Sequence, residues 1–241
     1  MTDYERMVQV LRCRVTEILD HGEHIYSVFL KPEIPAPPFL PGQYLYLALD
    51  EPGPASTWPD SRPFSIASAP SERNMLRITY AVKGKFSSRM EAGLCTGCTT
   101  WVKMPYGEFT INTERDACLL AGGTGVAAFT AFLAGLPATY PHQIHLFYAA
   151  RKPGQLIFRP LVEAAAQRFP GLRVRYLTEQ DYDGTDCLPG RIVAGTVFRV
   201  VPKPLSLTYY LAGPTGMVRA LTNDLIQLGL APAQIMAEAW E

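Results

Sequence analysis

Arg62-Pro63-Phe64-Ser65-Ile66-Ala67-Ser68 brings a guanidinium, an aromatic ring and serine hydroxyls into one short run. Side chains alternate along a strand, so Arg62 and Phe64 fall on one face and Ser65 on the other. A guanidinium presents a planar fork of donors that matches phosphate oxygens. An aromatic face can lie against a conjugated ring, and a serine hydroxyl can donate to or accept from a ring nitrogen. Together these groups suit a flavin nucleotide. An ordinary strand with a surface arginine has the same composition, so the assignment depends on what the rest of the chain supplies.

Three further stretches bear on it. Gly84-Lys85-Phe86-Ser87-Ser88-Arg89-Met90 follows the alternating run Leu76–Val82. A glycine and serines at a helix start leave backbone N–H groups unpaired, which suits a pyrophosphate, although a plain serine cap reads the same way. Met90 is placed to turn inward and anchor that helix. Cys118–Phe129 reads as a buried strand, the turn Gly122-Gly123-Thr124-Gly125 and a helix start of small residues. Its spacing is not G-x-G-x-x-G, yet the glycines still admit a phosphate close to the backbone. Tyr209–Met217 repeats the plan, with Gly213, Pro214 and Met217 in its turn. Two such turns on one side of a sheet predict a nucleotide crevice at the carboxyl ends of the strands.

The order of these motifs resembles the ferredoxin-NADP reductase superfamily. The likeness is greatest to its compact NAD(P)H-flavin reductases and to the FAD/NAD reductase modules of oxygenase systems. It runs through Val8–Ile18, Pro41–Leu45, Arg62–Ser65, Gly84–Met90, Met104–Phe109, Gly122–Gly125, Phe147–Arg151 and Ala212–Met217, to the tail Glu238-Ala239-Trp240. It implies an all-β antiparallel Greek-key barrel for FAD (1–113), followed by an α/β parallel-sheet domain for NADH or NADPH (114–241). Arg62 would then grip a flavin phosphate, with Pro63 and Phe64 against the ribityl chain or ring. Ser65 would stand near the ring nitrogen that receives hydride. Ile78, Tyr80, Val82 and Lys83 would line the ring edge and supply backbone hydrogen bonds, and Gly84, Lys85, Phe86 and Ser87 would hold the pyrophosphate and adenosine. Gly123, Thr124 and Gly125 would bind the dinucleotide pyrophosphate, while Gly213, Pro214 and Met217 would shape the nicotinamide pocket. Trp240 would stack on the flavin, and Glu238 would orient the carboxamide or relay a proton. A frayed terminus is the alternative for that tail. Many family members carry cysteine where this chain has Ala212, a departure that bears on rate rather than reaction class. The electrons would pass to a ferredoxin, an iron–sulfur protein, an oxygenase component or free flavin. A non-catalytic flavin-binding redox sensor acting through Cys95 and Cys98 is the alternative of another class.

The 2′-phosphate of NADPH needs cationic partners. The segment after the third strand of the second half, Leu177-Thr178-Glu179-Gln180-Asp181-Tyr182-Asp183, is acidic and lacks arginine, which favours NADH. Arg173, Arg175 and Arg191 lie near it in sequence and keep NADPH in play.

Composition sets the bounds. Lys+Arg and Asp+Glu both number 22, and a chain of zero formal charge is a poor candidate for nucleic acid. The start of the chain lacks a basic segment followed by an apolar one, which argues against a signal peptide. The uncharged stretch Ala117–Leu136 is long enough to cross a membrane. The glycine turn at 122–125 and Pro137 instead predict a buried strand and a helix. An odd number of cysteines without a leader predicts reduced thiols in a cytoplasmic protein. Cys95-Thr96-Gly97-Cys98 has the spacing of a redox pair or half a zinc site, but zinc needs about four ligands and the other cysteines are distant. We therefore expect no metal.

The first half predicts strands over Val8–Ile18, His24–Leu30, Tyr44–Asp50, Pro63–Ser68, Leu76–Val82 and Thr100–Lys103. Glu51–Ser61 reads as a surface loop, on which Trp58 would cover an adenine or cap the barrel. The second half alternates strands (Cys118–Ala121, Ile144–Ala149, Leu172–Leu177, Tyr209–Ala212) with helices (Ala127–Leu136, Arg159–Phe169, Met217–Leu228), the pattern of a covered parallel sheet. The boundary falls near Ile111–Asp116.

Overall fold

A computed structural model describes residues 8–53, 57–111, 114–181 and 187–240, with the Trp240 side chain excepted. They form two compact units. The first reaches to Thr110 and includes Ala127–Gly135; the second comprises Ile111–Val126 and the chain from Leu136 onward.

The first unit is a six-stranded antiparallel sheet curled into a nearly closed barrel, in the order β4-β3-β6-β1-β2-β5. The strands are β1 (Gln9–Asp20), β2 (Ile25–Pro32), β3 (Tyr44–Ala48), β4 (Ser61–Ser65), β5 (Leu76–Ala81) and β6 (Thr99–Tyr106). Strand β1 buries Leu11, Cys13 and Val15 at alternate positions, and these join Val28, Leu30, Leu45, Leu47, Ile78 and Val102 in the barrel core. A register shift between Val15 and Glu17 keeps this long strand on β2 as the sheet curls. Helix α1 (Lys85–Gly93) is pinned by Phe86 and Met90, one turn apart and both buried. Beyond it Gly97 takes φ +91° and the chain turns into β6. Cys95 and Cys98 flank that glycine and are joined in a disulfide, so the expectation of reduced thiols fails for this pair. Their spacing lets a tight turn bring the sulfurs together. Cys13, Cys118 and Cys187 are free and buried.

Helix α2 (Ala127–Gly135) buries Ala127 through Leu133 without interruption. Thr130 Oγ1 donates to the Ala67 carbonyl at 2.9 Å, and the Phe129 ring lies 6.0 Å from that of Phe109. The apolar run that could have spanned a membrane is thus a strand, a turn and a nine-residue helix. Among the described residues no helix is long and apolar enough to cross a membrane.

The second unit is a six-stranded sheet, wholly parallel, in the order β10-β9-β8-β7-β11-β12. Its strands are β7 (Ala117–Gly122), β8 (Ile144–Ala150), β9 (Leu172–Thr178), β10 (Cys187–Pro189), β11 (Thr208–Pro214) and β12 (Ile235–Trp240). Every residue of β7 is buried, as a central parallel strand requires. Helices α3 (Arg159–Arg168), α4 (Ala194–Val200) and α5 (Thr215–Gln227) accompany the sheet. From β7 the chain steps outward through β8, β9 and β10, then returns to the other side of β7 with β11 and β12. The sheet changes direction between β7 and β11, the position at which open α/β sheets leave a crevice.

Candidate functional site

In the first unit, β4 and β5 are the free edges of the sheet, and they come together without forming a ladder. Edges of this kind present backbone N–H and C=O groups to a ligand. The seam is closed at one end, where Ala67 N donates to Arg77 O and Arg77 N to Ser68 Oγ. Phe64 and Tyr80 flank it further along, their rings 6.1 Å apart and edge to face.

Arg62 and Phe64 share a face of β4, and Arg62 is half exposed. Its guanidinium lies 5.2 Å from the Phe86 ring centre, so the strand and α1 meet through it. Arg62 Nη1 donates to Asp60 Oδ1 at 2.6 Å and to the Ser61 carbonyl at 2.7 Å. An ion pair so exposed is weak, and an anionic phosphate group can displace or share it. Asp60 went unrecognised in the sequence, although an acid two residues before Arg62, just ahead of β4, was its signal. Ser65 is buried at 7% exposure opposite Tyr44 on β3, and Pro63 is half-buried.

Ile78 is fully buried in the barrel core, so its side chain cannot line a ring, and only its backbone remains for that purpose. Ser87 was expected to hold a phosphate, but its hydroxyl builds its own turn. It accepts from Lys83 N at 2.9 Å and Gly84 N at 3.1 Å, and donates to Gly84 O. Tyr80 and Phe86 are also buried, with burial raising the Tyr80 phenol above its ordinary pKa. Val82 is half-buried, whereas Lys83, Gly84 and Lys85 are exposed. A Cβ built on Gly84 would meet nothing, so the start of α1 is open to a ligand. Trp58 donates from Nε1 to Ser61 Oγ at 2.8 Å, with Lys103 over its ring. Arg89 is held by Asp50 in a bidentate pair.

In the second unit the glycine turns after β7 and β11 lie side by side, because the strands pair in register up to Ala121 and Ala212. A Cβ on Gly125 would sit 2.5 Å from the Ala212 carbonyl, and one on Gly122 2.5 Å from Met217 Sδ. Gly213, at φ +153°, would meet Met217 Cε at 2.8 Å. These glycines let the two turns touch. Gly123, at φ +55° with open space above it, is the glycine that leaves room for a ligand, next to half-buried Thr124. Pro214 is exposed and Met217 half-buried at the same end of the sheet.

Glu238 lies on β12 opposite Ala212, and Trp240 opposite Pro214. Glu238 Oε2 is buried and has no hydrogen-bond partner, and burial pushes the carboxyl up to about 8. A ligand donor would satisfy that oxygen, or a ligand acceptor would once the carboxyl is protonated. The Trp240 side chain lies outside the described residues, as do Tyr182 and Asp183. After β9, Glu179 Oε2 accepts from Arg191 Nε at 2.7 Å. The arginine that could have held a 2′-phosphate is thus turned to a carboxylate. Arg175 instead lies over the Phe147 ring.

Residues 119–223 match the family model of the oxidoreductase NAD-binding domain. The chain is 28% identical over 209 residues to the ferredoxin–NAD(P)(+) reductase component of the naphthalene 1,2-dioxygenase/salicylate 5-hydroxylase systems of a Ralstonia species, covering 84% of this chain and 60% of that protein. It is 30% identical over 246 residues to a flavohemoprotein of Chromobacterium violaceum, covering 94% and 59%. It therefore spans about three fifths of the length of these relatives. Among solved structures, a ferredoxin NADP+ reductase from Neisseria gonorrhoeae with bound FAD and NADP superposes with a TM-score of 0.78 at 20% identity, covering 97% of this chain and 98% of that one. A curled antiparallel sheet followed by a parallel sheet with two glycine turns at its switch point is the two-domain fold of that structure. The chain thus carries a match to the oxidoreductase NAD-binding domain in its second unit and shares the fold of that ferredoxin NADP+ reductase.

Proposed function

We propose that this protein is an NAD(P)H-dependent flavin oxidoreductase that holds FAD in the barrel domain (1–113) and the reduced dinucleotide in the α/β domain (114–241). The observation that carries the reading is the contact of the two glycine turns at the switch between β7 and β11, with Gly123 open and Glu238 Oε2 unsatisfied at the same end of the sheet. The barrel seam fits the other half: the ion pair of Arg62 with Asp60 is exposed and displaceable, and the start of α1 is open beside it. FAD, when bound, supplies the redox chemistry, taking hydride from the nicotinamide and passing electrons onward.

The chain's own residues bind and orient. Arg62 neutralises phosphate and Phe64 backs the ribityl chain or ring. Ser65 offers a hydroxyl to the ring nitrogen, and the open backbone at Gly84 and Lys85 takes the pyrophosphate end. Thr124 and the Gly123 amide receive the dinucleotide pyrophosphate, Met217 and Pro214 exclude water from the nicotinamide, and Glu238 holds a proton beside the carboxamide. The acceptor is a ferredoxin, an iron–sulfur protein or an oxygenase component, met through exposed Lys83 and Lys85 in the cytoplasm. Weak flavin binding, in which Asp60 competes for Arg62, would favour a reductase of diffusible flavin.

The flavin released on denaturation should be FAD. Chromatography that returned FMN, or a protein with no micromolar flavin affinity, would overturn the assignment.

NADH should be the preferred donor, because Glu179 repels a 2′-phosphate and occupies Arg191. Glu179→Gln should raise kcat/KM for NADPH relative to NADH roughly three- to tenfold, the scale of one freed surface charge. An unchanged ratio in steady-state kinetics with both donors would remove Glu179 from the discrimination.

A further inference from the structure

Cys95 and Cys98 play no part in the proposed hydride transfer, yet they form the one disulfide among the described residues. The bridge closes a loop only three residues apart in sequence. A loop this short removes little conformational freedom from the unfolded chain, so global stability is a poor explanation for it. Cys95 is exposed and Cys98 half-buried, whereas Cys13, Cys118 and Cys187 are buried. A reductant in solution therefore reaches the bridge before any other sulfur.

The turn holds other elements in place. Gly97 N donates to Val15 O at 2.8 Å and Val15 N donates to Cys98 O at 2.9 Å, which ties the loop to β1 beside its register shift. Cys98 Sγ lies 3.8 Å from the Gly93 carbonyl at the last residue of α1, and Leu94 N closes the same helix end on Met90 O. The bridge thus sits where the C-terminal end of α1, the bulged part of β1 and the start of β6 meet.

We propose that Cys95–Cys98 is a reversible thiol–disulfide exchange site for a dithiol reductant, and that its oxidation state sets how firmly the end of α1 is held. A thiolate of the reductant attacks the exposed Cys95 sulfur, forming a mixed disulfide and releasing Cys98 as a thiolate that takes up a proton. The second thiol of the reductant then attacks its own sulfur in that mixed disulfide. Cys95 leaves as a thiolate and is protonated. The products are two protein thiols and one oxidised reductant. Once freed, the Cys98 thiol can donate to the Gly93 carbonyl, and the loop loses its covalent closure. The N-terminal end of α1 carries the open Gly84–Lys85 backbone, so loosening the helix weakens flavin binding. That last consequence rests on the flavin reading given above; the exchange and the helix loosening do not.

The test uses the full chain, with dithiothreitol as the reductant. N-ethylmaleimide labelling read by peptide mass spectrometry should leave Cys95 and Cys98 unmodified in the air-oxidised protein and label both after dithiothreitol. The buried cysteines should stay unlabelled in both. Backbone hydrogen exchange over Lys85–Gly93 should quicken on reduction about fivefold or more, and Cys95→Ser should match the reduced protein without any reductant. Labelling of Cys95 and Cys98 before reduction, resistance of the pair to dithiothreitol, or equal exchange in the oxidised, reduced and Cys95→Ser proteins would each overturn the proposal. FAD titration of the same samples is read separately. Failure of all three samples to bind FAD would contradict the flavin reading and leave the thiol and exchange results to decide this one.

Discussion

Arg62→Ala should raise the dissociation constant for FAD about ten- to a hundredfold and leave the apoprotein folded. A charge-assisted bond to a phosphate contributes roughly 1.5–3 kcal/mol, and each 1.4 kcal/mol is a factor of ten in affinity. The folded protein depends little on this side chain. Its partner in the absence of ligand is Asp60, in an exposed pair of the kind that contributes about 0–1 kcal/mol. Its stacking on Phe86 adds an amount of similar size. Arg62→Lys should recover only part of the affinity, since an ammonium keeps the charge and loses the fork. Flavin titration and thermal unfolding of the apoprotein check both halves. Unchanged affinity would make Arg62 an ordinary surface residue.

Glu238→Gln should abolish a fall in stability that the native protein shows as pH rises from about 4.5 to about 8. Burial lifts this carboxyl from an ordinary value of 4.5 to about 8. Below the unfolded value both states hold the proton and nothing is lost. Between about 4.5 and 8 the unfolded chain releases its proton while the native one keeps it. Native Glu238 then binds more protons, and stability falls as pH rises. Above about 8 both states are ionised and the full penalty, on the order of a few kcal/mol, is present. Glutamine carries no charge, so the variant should be more stable than the native protein at pH 9 and similar at pH 4. In the reaction, the protonated carboxyl is a donor to the carboxamide. Hydride transfer in the native protein should show an inflection near 8 that the variant lacks. Parallel profiles for the two proteins would show that Glu238 touches neither proton nor nicotinamide.

Much of the frame was legible in the chain because its signals are local. The six barrel strands were readable from alternation between Pro/Gly turns, and four central strands of the parallel sheet from short apolar runs. Edges and short pieces were not. Strand β10 has three residues, too few for a period to show. Strand β12 looks like a chain end until β11 is seen to pair with it. Helix α4 reads Ala-Gly-Thr-Val-Phe-Arg-Val, with poor helix propensity, and forms because Ala194 and Val197 find a core. At the site, residue types were visible but occupancy was not. The sequence cannot say that Gly122 and Gly125 are required by neighbouring protein atoms while Gly123 faces open space. Nor can it say that Ser87 is occupied by its own turn, that Ile78 points into the core, or that Asp60 and Glu179 engage the nearby arginines. The glycine contacts and the burial of Ile78 depend on packing between segments distant in the chain, and the others on which of several local partners a side chain takes.

The central claim is that hydride passes from NADH to flavin held by this chain. Anaerobic rapid mixing of the FAD-loaded protein with NADH tests it most directly. The visible flavin absorbance should be lost within about a second, at the rates usual for enzymes. Flavin that stays oxidised over minutes, with both NADH and NADPH in excess, would contradict it.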